Sequence, residues 1–419
     1  MNAAPTTLTV ERLGRRGEGV ARGPDGPVYI PYALANETVT ADISGERGRL
    51  DVVVTPSPDR VAPSCKWFGA CGGCAVQALA PAAYAAWKRG LVAAALAREN
   101  VAANVGALAP AHGAGRRRVT FHARDTTVGF MRMRAHEIVA IDACPILAAG
   151  LANALTSARA IARTLAALGK PLDILVTATL SGLDIDIRGP GALGAAETLR
   201  LVAVAETHDL ARLSNHGVAL VTRREPLLRM GAAMVAPPPG AFLQATEAAE
   251  DVIAAHATRA VAGGRAADLF AGVGTLALRL ASAGPVHAVD ASAPALAALA
   301  RAAHAELTLK AVSTETRDLF RRPLGADELA GYDAVVFDPP RAGAEAQTRL
   351  LAGSDVPTVV AVSCEPASFA RDAALLIAGG YTVESVTPID QFLYSAHVET
   401  VAVFRKPRRT RSKRARLLG

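Results

Sequence analysis

Three groups of residues in this chain have types and spacings that chemistry could use. The first is Cys364, alone in "VVAVSCEPASFARD" (359–372), where an apolar run ends in a turn. An isolated cysteine at such a strand end is either packing or a nucleophile, and a thiolate attacks electrophilic carbon readily. The second is "CKWFGACGGC", which sets Cys65, Cys71 and Cys74 within one short stretch. Two residues between thiolates let both reach one metal centre, and the glycines let the backbone turn tightly around it. The remaining upstream cysteine, Cys144 in "AIDACPI", is followed by proline, as cluster ligands often are. Four thiolates suit either zinc or an iron-sulfur cluster, and spacing alone does not choose between them. The third group is a cofactor turn. In "AADLFAGVGTLALRLA" a strand leads through Gly272 and Gly274 into a helix, and Asp290 closes "VHAVD" about 20 residues on, where an acid can bond ribose hydroxyls. The missing third glycine departs from the dinucleotide fingerprint and points to S-adenosylmethionine, which has no pyrophosphate to cradle. "VVFDPPRAG" adds Asp338 before two prolines, a stiff rim at a strand's carboxyl end, where open α/β sheets bind ligands.

These groups need elements to position them. Short β-rich runs broken by glycine turns extend from Leu8 to about Thr55 and suggest a small barrel. "TPSPDRVAPS" is a proline-rich linker, and "PAAYAAWKRGLVAAALAREN" reads as a helix opened by proline. Arginine-edged strands follow, "RRRVTFHAR", "TVGFMRMRAHEIVAI", "LDILVTATLSGLDIDIRG" and "HGVALVTRREPLLRM". After "PPPG" the chain alternates helix and apolar strand, the pattern of a mainly parallel sheet with helices on both faces. The expected divisions are a barrel over 1–57, a central domain over 58–240, a cofactor domain over 241–405 and a basic tail over 406–419.

Composition sets limits on the partners. The 419 residues carry a net charge of +7, much of it in "RKPRRTRSKRARLLG" from Arg405, an arm suited to neutralising phosphates. No apolar run is long enough for a membrane span, and the start lacks an apolar signal-peptide core. An odd count of five cysteines does not suit a secreted disulfide framework. The expectation is a cytoplasmic monomer with no membrane partner.

Taken in order, the motifs resemble those of the S-adenosylmethionine-dependent RNA 5-methyluridine methyltransferases, in the ribosomal-RNA branch with an iron-sulfur cluster. The resemblance rests on "CKWFGACGGCAVQ", "CPI" at Cys144, "FLQAT" at Gln244, "DLFAGVGTL", "DPPRAG", "VSCEPASFARD" and "DQFLYSAHVETVAVF", which span nearly the whole chain. It implies an α/β fold: a Rossmann-like class I methyltransferase domain, an N-terminal TRAM or OB-like RNA-binding barrel, and a central α+β domain whose Cys65, Cys71, Cys74 and Cys144 hold a 4Fe-4S cluster. It implies Cys364 as the nucleophile for C6 of uracil and Glu399, in the HVE phrase, as the base that takes the C5 proton. An ordinary glutamate, pKa about 4.3, is ionised at neutral pH. It further implies that Gln244, Phe270, Asp290 and Asp338 contact S-adenosylmethionine. The barrel and cysteine cluster together favour 23S ribosomal RNA over transfer RNA as the target. The chain departs from the family at Thr246, Thr275 and Glu365, each standing where asparagine is commoner, and no role for Glu365 follows from the motif. RNA 5-methylcytosine transfer, which also uses cysteine addition, typically needs a proline-cysteine motif and a second free cysteine. A non-catalytic RNA-binding protein would not require Cys364, Glu399 and the cofactor turn together.

Overall fold

In a computed structural model that describes residues 5–407, the glycine turns of the first segment fold its strands into a closed barrel. The order is Thr6–Leu13, Gly19–Gly23, Gly26–Ile30, Arg47–Thr55, Thr38–Ser44. Alternation puts Leu8, Val10, Val28, Ile30, Val39 and Ala41 inside, as the two-residue period of a strand requires. The fully buried Glu37 carboxylate takes Arg60 from the proline-rich linker and the N–H groups of Leu34 and Ser57, tying barrel to linker. Most of the basic run expected as a tail, 408–419, lies outside the described residues.

The middle of the chain forms a seven-stranded sheet, ordered Val218–Thr222, Arg212–Asn215, Gly182–Arg188, Leu172–Thr179, Arg118–Arg124, Thr127–Met131, Ile138–Val139. Helices Ala154–Leu165 and Ala195–Thr207 pack on it through Ile161, Leu165, Leu201 and Ala205. The stretch "TVGFMRMRAHEIVAI" is two strands rather than one. Arg134 takes a left-handed conformation at φ 58°, and the Arg132–Glu137 ion pair closes the turn between them.

The last sheet has eight strands, ordered Val312–Thr316, Val286–Asp290, Ala266–Leu269, Ala334–Phe337, Thr358–Ser363, Glu399–Arg405, Thr382–Asp390, Ala109–Pro110. The first five are parallel and Glu399–Arg405 is antiparallel to both neighbours. This is the class I methyltransferase arrangement, with the strand order reversing beside Ala266–Leu269. The early helix Pro81–Arg98 also belongs to this layer: Val92, Ala95 and Leu96 share a core with Phe369, Leu376 and Phe404. Burying each large apolar side chain there is worth about 1.5–3 kcal/mol. Among the described residues no helix is long and apolar enough to cross a membrane.

Candidate active site

Parallel strands bring their carboxyl ends to one rim, and the candidate residues sit at or just beyond those ends. Phe270 follows Ala266–Leu269, Asp290 closes Val286–Asp290, Asp338 follows Ala334–Phe337 and Cys364 follows Thr358–Ser363. The final strand runs the other way, with Ser363 opposite Thr400. Its first residue, Glu399, therefore arrives at the same rim.

Cys364 is half-buried, two residues before helix Pro366–Ala378. Burial first, then Glu399 and Asp338, push its thiol up to about 12, against the opposing charge of Arg341. At neutral pH the resting group is a thiol.

Four side chains form a continuous polar chain beside it. Gln244 Nε2 donates to Asp338 Oδ2 at 2.7 Å, and Gln391 Nε2 donates both to Gln244 Oε1 at 2.7 Å and to Glu399 Oε2 at 2.6 Å. Gln391 Oε1 accepts from the Ala245 N–H at 2.9 Å, which fixes which way its amide points. Glu399 is 2% exposed, and its Oε1 has no partner among the described residues. Burial and then the Asp338 charge raise Glu399 well above the carboxylate range, and burial raises Asp338 to about 7. The expectation of an ordinary, ionised glutamate is thereby corrected: in a dry site with a like charge nearby, the carboxyl holds its proton more tightly.

The cofactor turn is shaped by its two glycines for different reasons. Gly272, at φ 56°, has open space where a side chain would start, while a Cβ on Gly274 would come within 2.7 Å of Leu299. Phe270 is left-handed at φ 61° without being glycine, a strained geometry that clusters at functional sites. Its ring lies 5.4 Å from that of Phe320. Asp290 accepts from the N–H groups of Gly272 at 2.9 Å and Ser292 at 2.7 Å, so it holds the turn in place. Beneath it Asp268 is 1% exposed, with its carboxyl raised far up by burial and then by Asp338.

At the groove side of the thiol, Arg341 Nη2 donates to Glu365 Oε2 at 3.3 Å and to His397 Nδ1 at 3.2 Å. Arginine has no acceptor, so His397 Nδ1 carries the lone pair and the ring is neutral; burial and then Arg341 push its pKa down. Glu365, without a role in the sequence, is the partner of Arg341.

Cys65, Cys71, Cys74 and Cys144 line one cavity of about 560 Å³ together with Arg116, Gln244 and Phe392. Burial pushes the Cys74 thiol up to about 12, with Cys144, Cys71 and Cys65 adding to it. Among the described residues no three His, Cys, Asp or Glu side chains converge on a single metal-ion position. Gly72 has no room for a side chain, since a Cβ would meet Met133 N at 2.8 Å and Met131 O at 2.9 Å. A larger groove of about 1590 Å³ is lined by Cys364, Arg341 and His397, by Arg116, and by Arg15, Arg16 and Arg47 of the barrel.

The rim gathers Cys364, Glu399, Gln244, Phe270, Asp290 and Asp338, and the four remaining cysteines line a neighbouring cavity that Gln244 also lines. The motifs do not single out Gln391, Arg341 or Asp268, which the fold brings beside these residues. The available signal was their position inside "DQFLYSAHVE", "DPPRAG" and "DLFAGVG", as polar residues in otherwise apolar or turn-forming phrases.

Residues 287–407 match the tRNA (Uracil-5-)-methyltransferase family. Over 96% of its length the chain is 45% identical to an uncharacterized RNA methyltransferase of Agrobacterium fabrum, covering 99% of that protein. It is 32% identical to the 23S rRNA (uracil(1939)-C(5))-methyltransferase of Halomonas elongata, covering 96% of this chain and 89% of that one. The fold is similar to the crystal structure of Pyrococcus abyssi tRNA (uracil-54, C5)-methyltransferase, with a TM-score of 0.74 at 19% identity over 95% of this chain and 99% of the other.

Proposed function

The chain belongs to the RNA (uracil-5-)-methyltransferase family, and from that premise we propose that it methylates C5 of a uridine in 23S ribosomal RNA, with Cys364 as nucleophile and Glu399 as base. The single observation that carries the reading is the meeting of a thiol and a buried carboxyl at one rim, the carboxyl linked through Gln391 and Gln244 to Asp338.

The chemistry explains both groups. C5 of uracil is a weak carbon nucleophile, and thiolate addition at C6 places enolate charge on C5, splitting one hard step into easier ones. S-adenosylmethionine, when bound, supplies a methyl group on a sulfonium that such a carbon can accept. For these steps Cys364 and Glu399 must first give up their own protons to solvent. After methyl transfer C5 bears both hydrogen and methyl, and the Glu399 carboxylate takes that proton as the C6–S bond breaks and Cys364 is released as thiolate. A raised carboxyl is a stronger base once ionised, which suits proton removal near neutral pH. Gln391 holds Glu399 through Oε2, and among the described residues the buried Oε1 has no partner, so its lone pairs are not committed to another donor.

The residues fit the cofactor. Asp338 and Glu399 are hydrogen-bonded to the neutral amides of Gln244 and Gln391, and Asp290 to backbone N–H groups. A ligand carrying sulfonium and ammonium charge suits such an acid-rich rim, and Gly272 leaves open space beside it. Gln244, Phe270, Asp290 and Asp338 would hold it.

The four thiols at one cavity fit a 4Fe-4S cluster as a donor set, and the barrel fits a TRAM-like RNA-binding module. Both belong to the ribosomal-RNA reading, and the Halomonas relative is named for 23S rRNA. Anaerobically purified protein is expected to be brown with about four irons per chain, as a cubane requires; a colourless protein with one zinc would sink the cluster assignment.

The function is tested by covalent trapping. With S-adenosylmethionine present, 5-fluorouridine-substituted 23S rRNA fragments are expected to form a denaturation-resistant adduct, because fluorine cannot leave as a cation. Equal trapping by Cys364→Ala would exclude Cys364 as nucleophile, and preferential trapping of transfer RNA would move the target.

A further inference from the structure

We propose that Glu365 is a positioning residue that acts on Cys364 through Arg341: by pairing with the guanidinium at the groove wall, it withholds a cation from the neighbouring thiol. The inference rests on the reading of Cys364 as the reacting thiol. Arg341, Cys364, Glu365 and His397 line the same groove. Arg341 follows the stiff Pro339–Pro340 pair, so its backbone is anchored beside Asp338. Its guanidinium is held from two other elements: Glu365 Oε2 at 3.3 Å from the start of the helix after Cys364, and His397 Nδ1 at 3.2 Å from the loop before Glu399. That loop is itself fixed, because the buried Lys88 donates to the His397 carbonyl at 2.7 Å.

The charged or titratable groups acting on Cys364 are Glu399 from the last strand and Asp338 and Arg341 from beyond the end of the neighbouring parallel strand. Arg341 alone among them favours the thiolate. Glu365 is next in sequence to Cys364, yet its carboxylate is turned to Arg341. The Arg341 side chain is 63% exposed and that of Glu365 27%, so the pair is solvent-screened and readily exchanged. Such a contact can lower the resting reactivity of the thiol without locking it.

The test uses the full-length protein and the rate at which iodoacetamide alkylates Cys364, read by mass spectrometry of the peptide that carries it, at about pH 8, well below the raised thiol pKa. Glu365→Gln is expected to speed alkylation about threefold to tenfold, the change that half to one unit of thiol pKa produces. Arg341→Gln is expected to slow it, and adding Glu365→Gln to Arg341→Gln should then change nothing. In an Arg341→Lys background, which keeps the charge and guards against misfolding as an explanation, Glu365→Gln should again accelerate. Two results overturn the proposal: no acceleration in Glu365→Gln, or equal acceleration with Arg341 removed, which would mean that Glu365 acts by its own charge. Trapping by 5-fluorouridine RNA reads the nucleophile separately, so failure of that assignment and failure of this one are distinguishable.

Discussion

Glu399 shows how a residue's chemistry is made by its surroundings rather than its type. An exposed glutamate would be fully ionised and weakly basic at neutral pH, whereas burial and the Asp338 charge raise this one. Cys364 is raised as well, so the two groups proposed to react must both lose protons, and methylation is expected to quicken as pH rises above neutrality. Removing the base separates the steps. Glu399→Gln should still add Cys364 to ordinary uridine RNA and accept the methyl group, then stall before proton removal. The expected outcome is a denaturation-resistant adduct with unsubstituted RNA, and turnover lower by about 10²–10⁴, the usual range for general-base loss. Gel electrophoresis under denaturing conditions reads the adduct; full turnover without one would remove Glu399 from the mechanism.

At the scale of elements, the helix Pro81–Arg98 is the brace of the site. Its Lys88, fully buried, donates to Asp390 Oδ1 at 2.6 Å and to the carbonyls of Phe392 at 2.9 Å and His397 at 2.7 Å, using all three of its protons. One turn earlier, Tyr84 donates to the other Asp390 oxygen at 2.8 Å and accepts from the Tyr394 N–H at 3.0 Å. Both ends of the loop carrying Gln391 and His397 are thus fastened to one helix face. Lys88→Met leaves Asp390 buried without its cation and should cost about 3–5 kcal/mol, read by urea unfolding. Pairing it with Asp390→Asn should recover part of that loss, and a single-variant loss within measurement error would deny the brace. The sequence made the helix legible through its good helix formers and opening proline, but not its partner, which lies 302 residues away from Lys88. Likewise the "SC" and "HVE" phrases exposed Cys364 and Glu399, while the role of Gln391 depends on a bond to Gln244, 147 residues distant. Local pattern carries strand and helix identity; side-chain networks between distant segments form only when the sheet order brings them to one rim.

At the scale of the whole molecule, the barrel, the cysteine cavity and the rim meet along a single groove. Arg15, Arg16 and Arg47 of the barrel, Arg116 and Cys364 all line it. Arg116 also lines the cysteine cavity, and its guanidinium lies 5.9 Å from the ring of Phe392, the residue after Gln391. The groove therefore has cations suited to an RNA backbone in the same cleft as the thiol proposed to react. Cations of this kind position the RNA but do no chemistry, so removing them should appear in binding. The double substitution Arg15→Gln, Arg16→Gln is expected to raise KM for RNA with kcat unchanged at saturation. The slope of log affinity against log salt should flatten by about 0.7 for each single-strand phosphate that the variant no longer neutralises. An unchanged salt slope with a fallen kcat would instead place these arginines in support of the fold or the rim, and the RNA would have to reach Cys364 by another face.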